Sequence, residues 1–302
     1  MGHSWDFISD YETDPAELAQ AELKHLAAVW HDQRERLETQ DSFVQFNERL
    51  HREWAIETGL IERLYAFDRG VTELLIEHGI DAALIPHGDG QQPESVAAMI
   101  GDHQAAVESI FRFVRGERPL STGYVKEMHA LMTRNQKWAE AADAQGRISR
   151  VELIRGDYKR WPNNPRRPDG SIHEYCPPEH VAAEMDRLIE LHGAHVSVAP
   201  EVEAAWLHHR FTQIHPFQDG NGRIARALAT LVFVKAGWFP LVVRNEGRDL
   251  YLDAIELADR GDIRELVKLF AGLQKDQLVK ALSMGPGLVC AEEAVELGQA
   301  TL

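Results

Sequence analysis

Twelve consecutive residues, from His215 to Arg226, combine side chains that suit phosphate binding and proton transfer. Glycines flank Asn221 directly before a stretch whose apolar residues recur at helical spacing, so the backbone N–H groups at the start of that helix are open to a ligand. The positive end of a helix dipole favours anions at that position. The twelve residues therefore predict a polyphosphate site at a helix N-terminus.

Individual side chains in this run suit separate parts of such chemistry. Arg223 and Arg226 are three positions apart and lie on neighbouring positions of one helical face, where both guanidinium groups can bind phosphates. Asp219 is the nearest acid, and Mg²⁺ takes one or two carboxylates together with phosphate oxygens. His215 has the side-chain type of a general base. We expect Asp219 to bind Mg²⁺ and His215 to accept a proton.

The segment Asp-Gly-Asn-Gly also has a simpler interpretation, since it can encode a tight turn followed by a capped helix. For the tetrapeptide alone, both interpretations stand. The neighbouring histidine, phenylalanine and arginines favour the functional one. We further expect Pro216 to restrict the loop and Phe217 to form a buried aromatic anchor beneath His215.

The elements that must position this site are mostly helices, so we predict a mainly α protein. One interval differs: arms at 148–158 and 172–175 flank a loop rich in Pro, Asn and Gly, which predicts an irregular β-hairpin, or flap. Lys159, Arg160, Arg166 and Arg167 make that flap basic. Helical periodicity covers the ranges 14–30, 43–76 with a break near 68–70, 94–114, 121–135, 178–192, 200–214, 221–236, 248–259 and 262–282.

At these residues the sequence resembles the Fic (filamentation induced by cAMP) family, whose motif reads His-Pro-Phe-x-Asp/Glu-Gly-Asn-Gly-Arg-x-x-Arg; positions 215–226 match it throughout. The resemblance extends over about 120–270 and implies a Fic-fold helical bundle that transfers AMP from ATP to a Ser, Thr or Tyr hydroxyl of a target protein. From its extended arms and basic residues, we expect the flap to dock that target, which can be the chain itself; the alternative is that the flap is a solvated basic loop. It implies that His215 is the base and Asp219 the Mg²⁺ ligand. The nucleotide-binding residues implied are Phe217, Gly220, Asn221, Gly222, Arg223 and Arg226, the last for the γ-phosphate.

An inhibitory element is implied by a second, partial resemblance. Many Fic proteins carry a helix with Ser/Thr-x-x-x-Glu-Gly/Asn, whose glutamate pairs with the second motif arginine. Here Thr58 to Arg63 is similar to it, with Glu62 as the inhibitory glutamate and Arg63 in place of Gly or Asn. The alternative is that Glu62 is an ordinary acid on an exposed helix face. A register that uses Glu57 is less favourable, because Glu53 would then replace the Ser or Thr.

Composition restricts the remaining choices. The net charge of −16 makes nucleic acid an unexpected partner, since its affinity depends on neutralising phosphates with Lys and Arg. No apolar run is long enough to predict a membrane span, and no secretory leader is recognisable, so we expect a cytoplasmic protein that does not bind membranes. Cys176 and Cys290 lie far apart and predict neither a metal knuckle nor a redox pair.

We divide the chain into an N-terminal helical region with the inhibitory helix (1–90), a Fic core (91–282) and a C-terminal tail (283–302). Other functions stay open: UMP or phosphocholine transfer, removal of AMP, or a catalytically silent module that binds nucleotide for regulation. Gly222 argues against the phosphotransferase variant of the family, and the intact His215 and Asp219 argue against silence. The sequence does not distinguish a monomer from a homodimer.

Overall fold

The structure is a computed structural model that describes residues 4–87, 91–142, 148–167 and 169–284. Residues 88–90 and nearly all of the tail (285–302), together with Cys290, lie outside the described residues. Within them the α-helices are α1 (Pro15–Leu18), α2 (Ala21–Glu38), α3 (Asp41–Ile61), α4 (Arg69–His78), α5 (Pro93–Arg115), α6 (Thr122–Met132), α7 (Val181–Ala194), α8 (Pro200–Ile214), α9 (Asn221–Lys235), α10 (Arg248–Ala258) and α11 (Arg264–Leu282).

The mainly helical fold is confirmed, with local differences at helix ends. The first periodic stretch is divided into α1 and α2, because Ala19 is extended between them. The second stretch breaks earlier than predicted, at residues 62–68. No helix of the described residues is both long and apolar enough to cross a bilayer.

Helices α8 and α9 form the centre of the bundle. They pack against each other, and α9 also contacts α3, α5 and α6, while α11 packs on α2, α8 and α10. Along α9 every residue from Asn221 to Val234 except Gly222 is buried, which is why its apolar residues occupy all faces. The N-terminus of α9 is therefore a fixed point.

Two tryptophans attach the N-terminal helices to this centre. The indole N–H of Trp54 on α3 donates to Thr230 Oγ1 on α9 at 3.0 Å, and that of Trp30 on α2 donates to the Gly237 carbonyl at 2.8 Å. Both side chains are almost fully buried, as large aromatic residues with a satisfied N–H commonly are. Helix α3 is thus held beside the predicted phosphate site.

The β-hairpin pairs different segments from the two that the sequence predicted. Strand β2 (Ile148–Glu152) pairs antiparallel with the upstream strand β1 (Trp138–Ala142). Where the structure describes it, the downstream arm forms an isolated bridge, Arg166 to Ile172. The predicted pairing was wrong because the prolines of the intervening loop prevent a continuous ladder, whereas residues 138–142 offer unbroken strand.

Candidate active site

The turn between α8 and α9 carries the motif residues. His215 ends α8 in the left-handed conformation (φ 50°), with its N–H bonded to the Phe211 carbonyl at 2.9 Å. Gly220 precedes α9 with φ 86°, a conformation that glycine adopts without strain. The Asn221 side chain closes the turn through both backbone groups of Phe217, at 2.8 and 2.7 Å. Asn221 thus shapes the turn with its side chain.

The imidazole of His215 is fixed by two contacts. Its Nδ1 lies 3.3 Å from the Thr212 carbonyl, which can only accept, so Nδ1 carries the proton and Nε2 is the basic nitrogen. Its ring stacks on Tyr175 with centroids 3.7 Å apart. Burial, followed by the positive charge of Lys159, holds the pKa of His215 well below its usual range. The ring is therefore neutral at pH 7.

Phe217 is completely buried, but it does not lie beneath His215 as predicted. Its ring stacks on His129 of α6, with centroids 3.8 Å apart. His129 accepts the Gly156 N–H at Nδ1, so its Nε2–H donates to the Asp219 carbonyl at 3.0 Å. Burial lowers the pKa of His129 to about 4, which keeps it in this neutral form. The position beneath His215 belongs to Tyr175 because Phe217 turns inward toward α6.

Asp219 is the partly exposed carboxylate of the site, with 38% of its side chain accessible. Its Oδ1 accepts the Gly220 N–H at 2.6 Å and its Oδ2 accepts from the Gln136 amide. Gln136 Oε1 in turn accepts from Arg223 Nη2 at 2.6 Å. Gln136 therefore links the candidate metal ligand to the first motif arginine.

The described residues contain no group of three or more His, Cys, Asp or Glu side chains that could hold a metal ion by themselves. Asp219 is the acid of the motif turn itself, and its carboxylate is partly exposed just before the N-terminus of α9. One carboxylate suits Mg²⁺ when phosphate oxygens and water complete its coordination, as in many nucleotide sites. The donor chemistry thus fits a magnesium ion that arrives with a polyphosphate.

Arg223 and the first N–H groups of α9 provide donors for an anion. Residues 221–223 begin the helix, so their N–H groups have no acceptor within it. Arg223 is 1% exposed, and its Nε has no hydrogen-bond partner among the described residues. A buried guanidinium nitrogen without a partner is costly unless a ligand or water satisfies it.

Arg226 donates hydrogen bonds to residues of α3, of the turn that follows α3, and of α10. Its Nε donates to Thr58 Oγ1 and its Nη2 to the Thr58 carbonyl, both at 2.9 Å, while Nη2 also lies 2.8 Å from Glu62 Oε1. The Tyr251 hydroxyl is 3.4 Å from Nη1. Arg226 is fully buried, and the Glu62 carboxylate and the Tyr251 hydroxyl raise its pKa against the effect of burial. Each of the three guanidinium nitrogens of Arg226 therefore already contacts a protein group.

The Glu62 carboxylate also lies directly over Gly222. A methyl group added to Gly222 would overlap Glu62 Oε1 and approach Arg226 Nη1 within 3.3 Å. The carboxylate thus occupies the anion position at the N-terminus of α9, where the helix dipole and Arg226 attract negative charge. Glu57, the alternative glutamate, is elsewhere: it accepts the Asn245 N–H at 2.8 Å and contacts Arg69.

A helix-ending turn holds Glu62 in this place. The Arg63 N–H bonds to the Leu60 carbonyl and the Leu64 N–H to the Gly59 carbonyl, at 3.0 and 3.1 Å, which is the Schellman pattern at the end of α3. Arg63 occupies its left-handed position, with φ 54°. Gly or Asn is favoured there, so the unusual residue of the partial motif stands at a backbone position that penalises it.

The structure reduces the basic character expected of the flap. Lys159 is 4% exposed, with its ammonium bonded to Asn163 Oδ1 at 2.8 Å, and Arg167 pairs with Glu256 at 2.8 Å. Arg160 and Arg166 are exposed. Only the latter two present their charge toward solvent, because the downstream arm folds back on the motif loop.

Sequence reasoning missed three residues of this site: His129, Gln136 and Tyr175. His129 and Gln136 belong to α6 and the loop after it, far from the motif in the chain. Tyr175 precedes the Pro177-Pro178 pair, where aromatic residues carry no periodic signal. Each acts through a tertiary contact with the motif, so its spacing along the chain gave no indication.

Comparison with known proteins finds similarity in the part of the chain that contains the motif turn. Residues 119–233 match the profile of the Fic/DOC family. The Protein adenylyltransferase Fic of Aedes aegypti is 39% identical over 72 residues, which are 24% of this chain and 14% of that protein. The protein of the same name from Culex quinquefasciatus is 40% identical over 68 residues, or 22% of this chain and 14% of that protein.

Solved structures resemble a larger part of the chain. A Fic domain containing signaling protein from Bacteroides thetaiotaomicron has a TM-score of 0.65 at 22% identity, over 87% of this chain and 95% of that one. A Fic family protein from Desulfovibrio desulfuricans has a TM-score of 0.65 at 20% identity, over 94% and 79%. These likenesses show the fold, whereas the alignments with the curated relatives cover 14% of their length.

Proposed function

Residues 119–233 form a Fic domain, and from this premise we propose that the chain transfers AMP from ATP to a Ser, Thr or Tyr hydroxyl of a target protein. The relatives named adenylyltransferases support this activity. The observation that carries the proposal is the anion position over Gly222, which Glu62 and Arg226 already mark with an ion pair of 2.8 Å.

In this proposal the phosphates of ATP accept hydrogen bonds from the N–H groups of residues 221–223 and from the Nε of Arg223, which has no partner among the described residues. Gly220 and Gly222 leave room for the phosphate oxygens, and Phe217 and Asn221 hold the turn in shape from beneath. The γ-phosphate takes Arg226. A helix N-terminus with two guanidinium groups is better suited to bind a triphosphate than to bind a ligand with a single carboxylate.

The proton of the target hydroxyl passes to His215 Nε2. The hydroxyl oxygen then forms a bond to the α-phosphorus of ATP, and pyrophosphate leaves with the electron pair of the broken P–O bond. His215 is suited to this step because its Nδ1–H is directed to Thr212, which orients Nε2 as the acceptor. Mg²⁺ would neutralise charge on the phosphates, with Asp219 as its protein ligand.

Glu62 keeps this activity low in the resting chain. Its carboxylate occupies the guanidinium that the γ-phosphate needs and repels that phosphate, so bound ATP is misplaced at its α-phosphorus. Thr58 reinforces the block through its hydroxyl and carbonyl on Arg226. We therefore assign residues 1–90 a regulatory role and 91–282 the transfer reaction.

The target segment docks on the flap. Within the described residues the hairpin has two strands, so each strand has an outer edge to which an extended segment can add by backbone hydrogen bonds. Arg160 and Arg166 remain exposed beside it and favour a target with acidic residues. A second copy of the chain is one candidate target, by self-modification.

The experiment compares the parent chain with Glu62→Gly, using ATP labelled at the α-phosphate, with labelled UTP and CDP-choline in parallel. We expect Glu62→Gly to raise transfer of label to protein at least tenfold, while affinity for ATP rises by less than about threefold. Glu48→Ala, which removes an exposed acid of the same helix, serves as the matched control and should leave the rate unchanged.

The outcomes separate the alternatives. If protein is labelled by UTP or CDP-choline alone, that compound and not ATP is the donor. If a modified protein loses AMP, the activity of the chain is removal of AMP. Binding of ATP without transfer by either chain would indicate a regulatory nucleotide-binding module. Equal rates for the parent and Glu62→Gly would remove Glu62 from any inhibitory role.

A further inference from the structure

The segment after the hairpin contains a buried lysine that the proposed reaction does not use. Lys159 is 4% exposed, and its ammonium bonds to Asn163 Oδ1 at 2.8 Å and lies 5.8 Å from the centre of the Tyr175 ring. A lysine ammonium is strongly hydrated and is seldom buried without a purpose or partner. Its neighbours are the residues that surround the candidate base.

Backbone contacts fix this lysine to the motif turn. The Lys159 N–H donates to the Pro216 carbonyl at 2.8 Å, one residue after His215, and Asn163 Nδ2 donates to the Phe217 carbonyl at 2.8 Å. One face of the His215 imidazole is covered by Tyr175, whose ring stacks on it with centroids 3.7 Å apart. The backbone of Lys159 and its partner Asn163 are thus bonded to the two residues that directly follow His215.

We propose that Lys159 is a positioning residue for His215: its buried ammonium, held behind Tyr175, keeps the imidazole neutral so that Nε2 can accept the proton of the target hydroxyl. The inference deepens the proposed function, on which the role of His215 as base rests. Lys159 acts through the histidine and does not itself touch the substrate.

The physical need for such a residue comes from the donor. A bound triphosphate brings several negative charges to the N-terminus of α9, and negative charge near an imidazole favours its protonated form, which cannot act as a base. A nearby positive charge in a buried environment opposes this effect. The other groups that act on His215 are the Tyr175 ring, the Thr212 carbonyl and His173; a charge on His173 would act in the same direction, but the effect of Lys159 is the larger of the two.

The effect of Lys159 on the pKa of His215 has the direction that the proposal requires. The charge of Lys159 is, after burial, the next cause that lowers the pKa of His215. Burial lowers the pKa of Lys159 itself to about 8, so the ammonium is still mostly charged at pH 7. The influence of Lys159 therefore covers the neutral and acidic range, where His215 would otherwise become protonated.

The test measures His215 directly by NMR titration of the imidazole in the full-length chain, with its signal assigned by loss in His215→Ala. Lys159→Met keeps the length and apolar stem of the side chain and removes the charge. We expect the His215 midpoint to rise by about one pH unit in Lys159→Met and to stay within about 0.3 unit of the parent in Lys159→Arg. Arg160→Met is the matched control, because it removes an exposed charge next in sequence.

A second variant keeps the inference open to refutation if Lys159→Met fails to fold. Lys159→Gln also removes the charge but retains a polar group that can bond to Asn163, so the His215 midpoint should rise by a similar amount. In the Glu62→Gly background, Lys159→Met should move the acidic limb of the transfer rate to higher pH by the same amount. A parent-like His215 midpoint in folded Lys159→Met or Lys159→Gln would overturn the inference. Absence of any AMP transfer by Glu62→Gly would instead contradict the proposed function, and the titration would still decide the role of Lys159.

Discussion

Two turns contribute residues to the candidate active site, and they differ in how directly the sequence determines their structure. The motif turn between α8 and α9 is closed by contacts within a few residues, such as Asn221 on Phe217. The turn that ends α3 places Glu62 against an arginine 164 positions away. A turn closed by neighbouring residues requires particular residue types at fixed spacing. An ion pair between distant residues requires only that folding brings the carboxylate to the arginine. The first turn can therefore be read from the chain, and the second depends on how α3 packs.

The residues at left-handed positions show the same contrast. Gly220 has φ 86° at the start of α9, where it also approaches Arg223 and Thr133 closely. Arg63 has φ 54° at the end of α3, where its side chain extends into solvent. Space and conformation both require glycine in the motif turn, but only conformation favours it in the other. The tolerance of Arg63 therefore indicates that packing of α3 stabilises the turn.

The largest effect is expected in the motif turn. His215→Ala, made in the Glu62→Gly background, should lower AMP transfer by about a thousandfold, because general-base catalysis typically contributes two to four orders of magnitude. ATP affinity measured by calorimetry should change by less than about twofold, since the base acts on the hydroxyl. Undiminished labelling would remove His215 from the mechanism.

Asp219→Ala should lower the transfer rate about a hundredfold, because the metal would lose its protein carboxylate and several kcal/mol of charge stabilisation. The dependence of the remaining rate on Mg²⁺ concentration should flatten. Asp249→Ala is the control, since that carboxylate is 98% exposed on α10 and should not alter the metal titration. An unchanged Mg²⁺ titration in Asp219→Ala would exclude it as the ligand.

Acid should loosen both turns through buried neutral histidines. His103 on α5 contacts the Ala55 carbonyl of α3 and His129 contacts the Asp219 carbonyl; burial lowers their pKa values to about 3 and about 4. An unfolded histidine titrates near 6.5, so this stability is complete above pH 6.5 and is lost as pH falls toward the folded values. Each should cost on the order of 2 kcal/mol of the free energy of unfolding between pH 6.5 and 5.

Chemical denaturation at several pH values measures this loss. His103→Asn and His129→Asn cannot titrate, so each should show a weaker dependence of stability on pH than the parent. A parent whose unfolding free energy is constant from pH 6.5 to 5 would contradict the expectation.

The smallest effect should come from Arg63→Gly, which relieves the left-handed backbone and should raise the free energy of unfolding by about 0.5 to 1 kcal/mol. A firmer turn should also hold Glu62 more tightly and lower basal transfer slightly. Glu117→Gly is the matched control, because Glu117 has φ 49° after α5, away from the site. Glu117→Gly should raise the free energy of unfolding by a similar amount without changing the rate of basal AMP transfer. If the two variants transfer AMP at equal rates, the stability of the turn after α3 does not affect inhibition by Glu62.

Much of the architecture was predictable because its signals are local. The apolar spacing of α8, α9 and α11 indicated helices within a residue or two of their observed ends. The strand pairing was not predictable, since residues 138–142 carry little strand signal and the choice of partner depends on how the loop from 153 to 176 packs on the motif turn. The inward direction of Phe217 likewise depends on His129, which belongs to another helix.

By itself, the sequence determined the helical fold class and the composition of the motif turn, because helical periodicity, glycine conformation and side-chain chemistry act within a few residues. Tertiary structure decided the rest. Only packing brings Gln136 between Asp219 and Arg223, Tyr175 and Lys159 beside His215, and Glu62 over Gly222. The reason is physical: each of these contacts joins groups far apart in the chain, and the energy of burying or pairing them depends on where the helices place them.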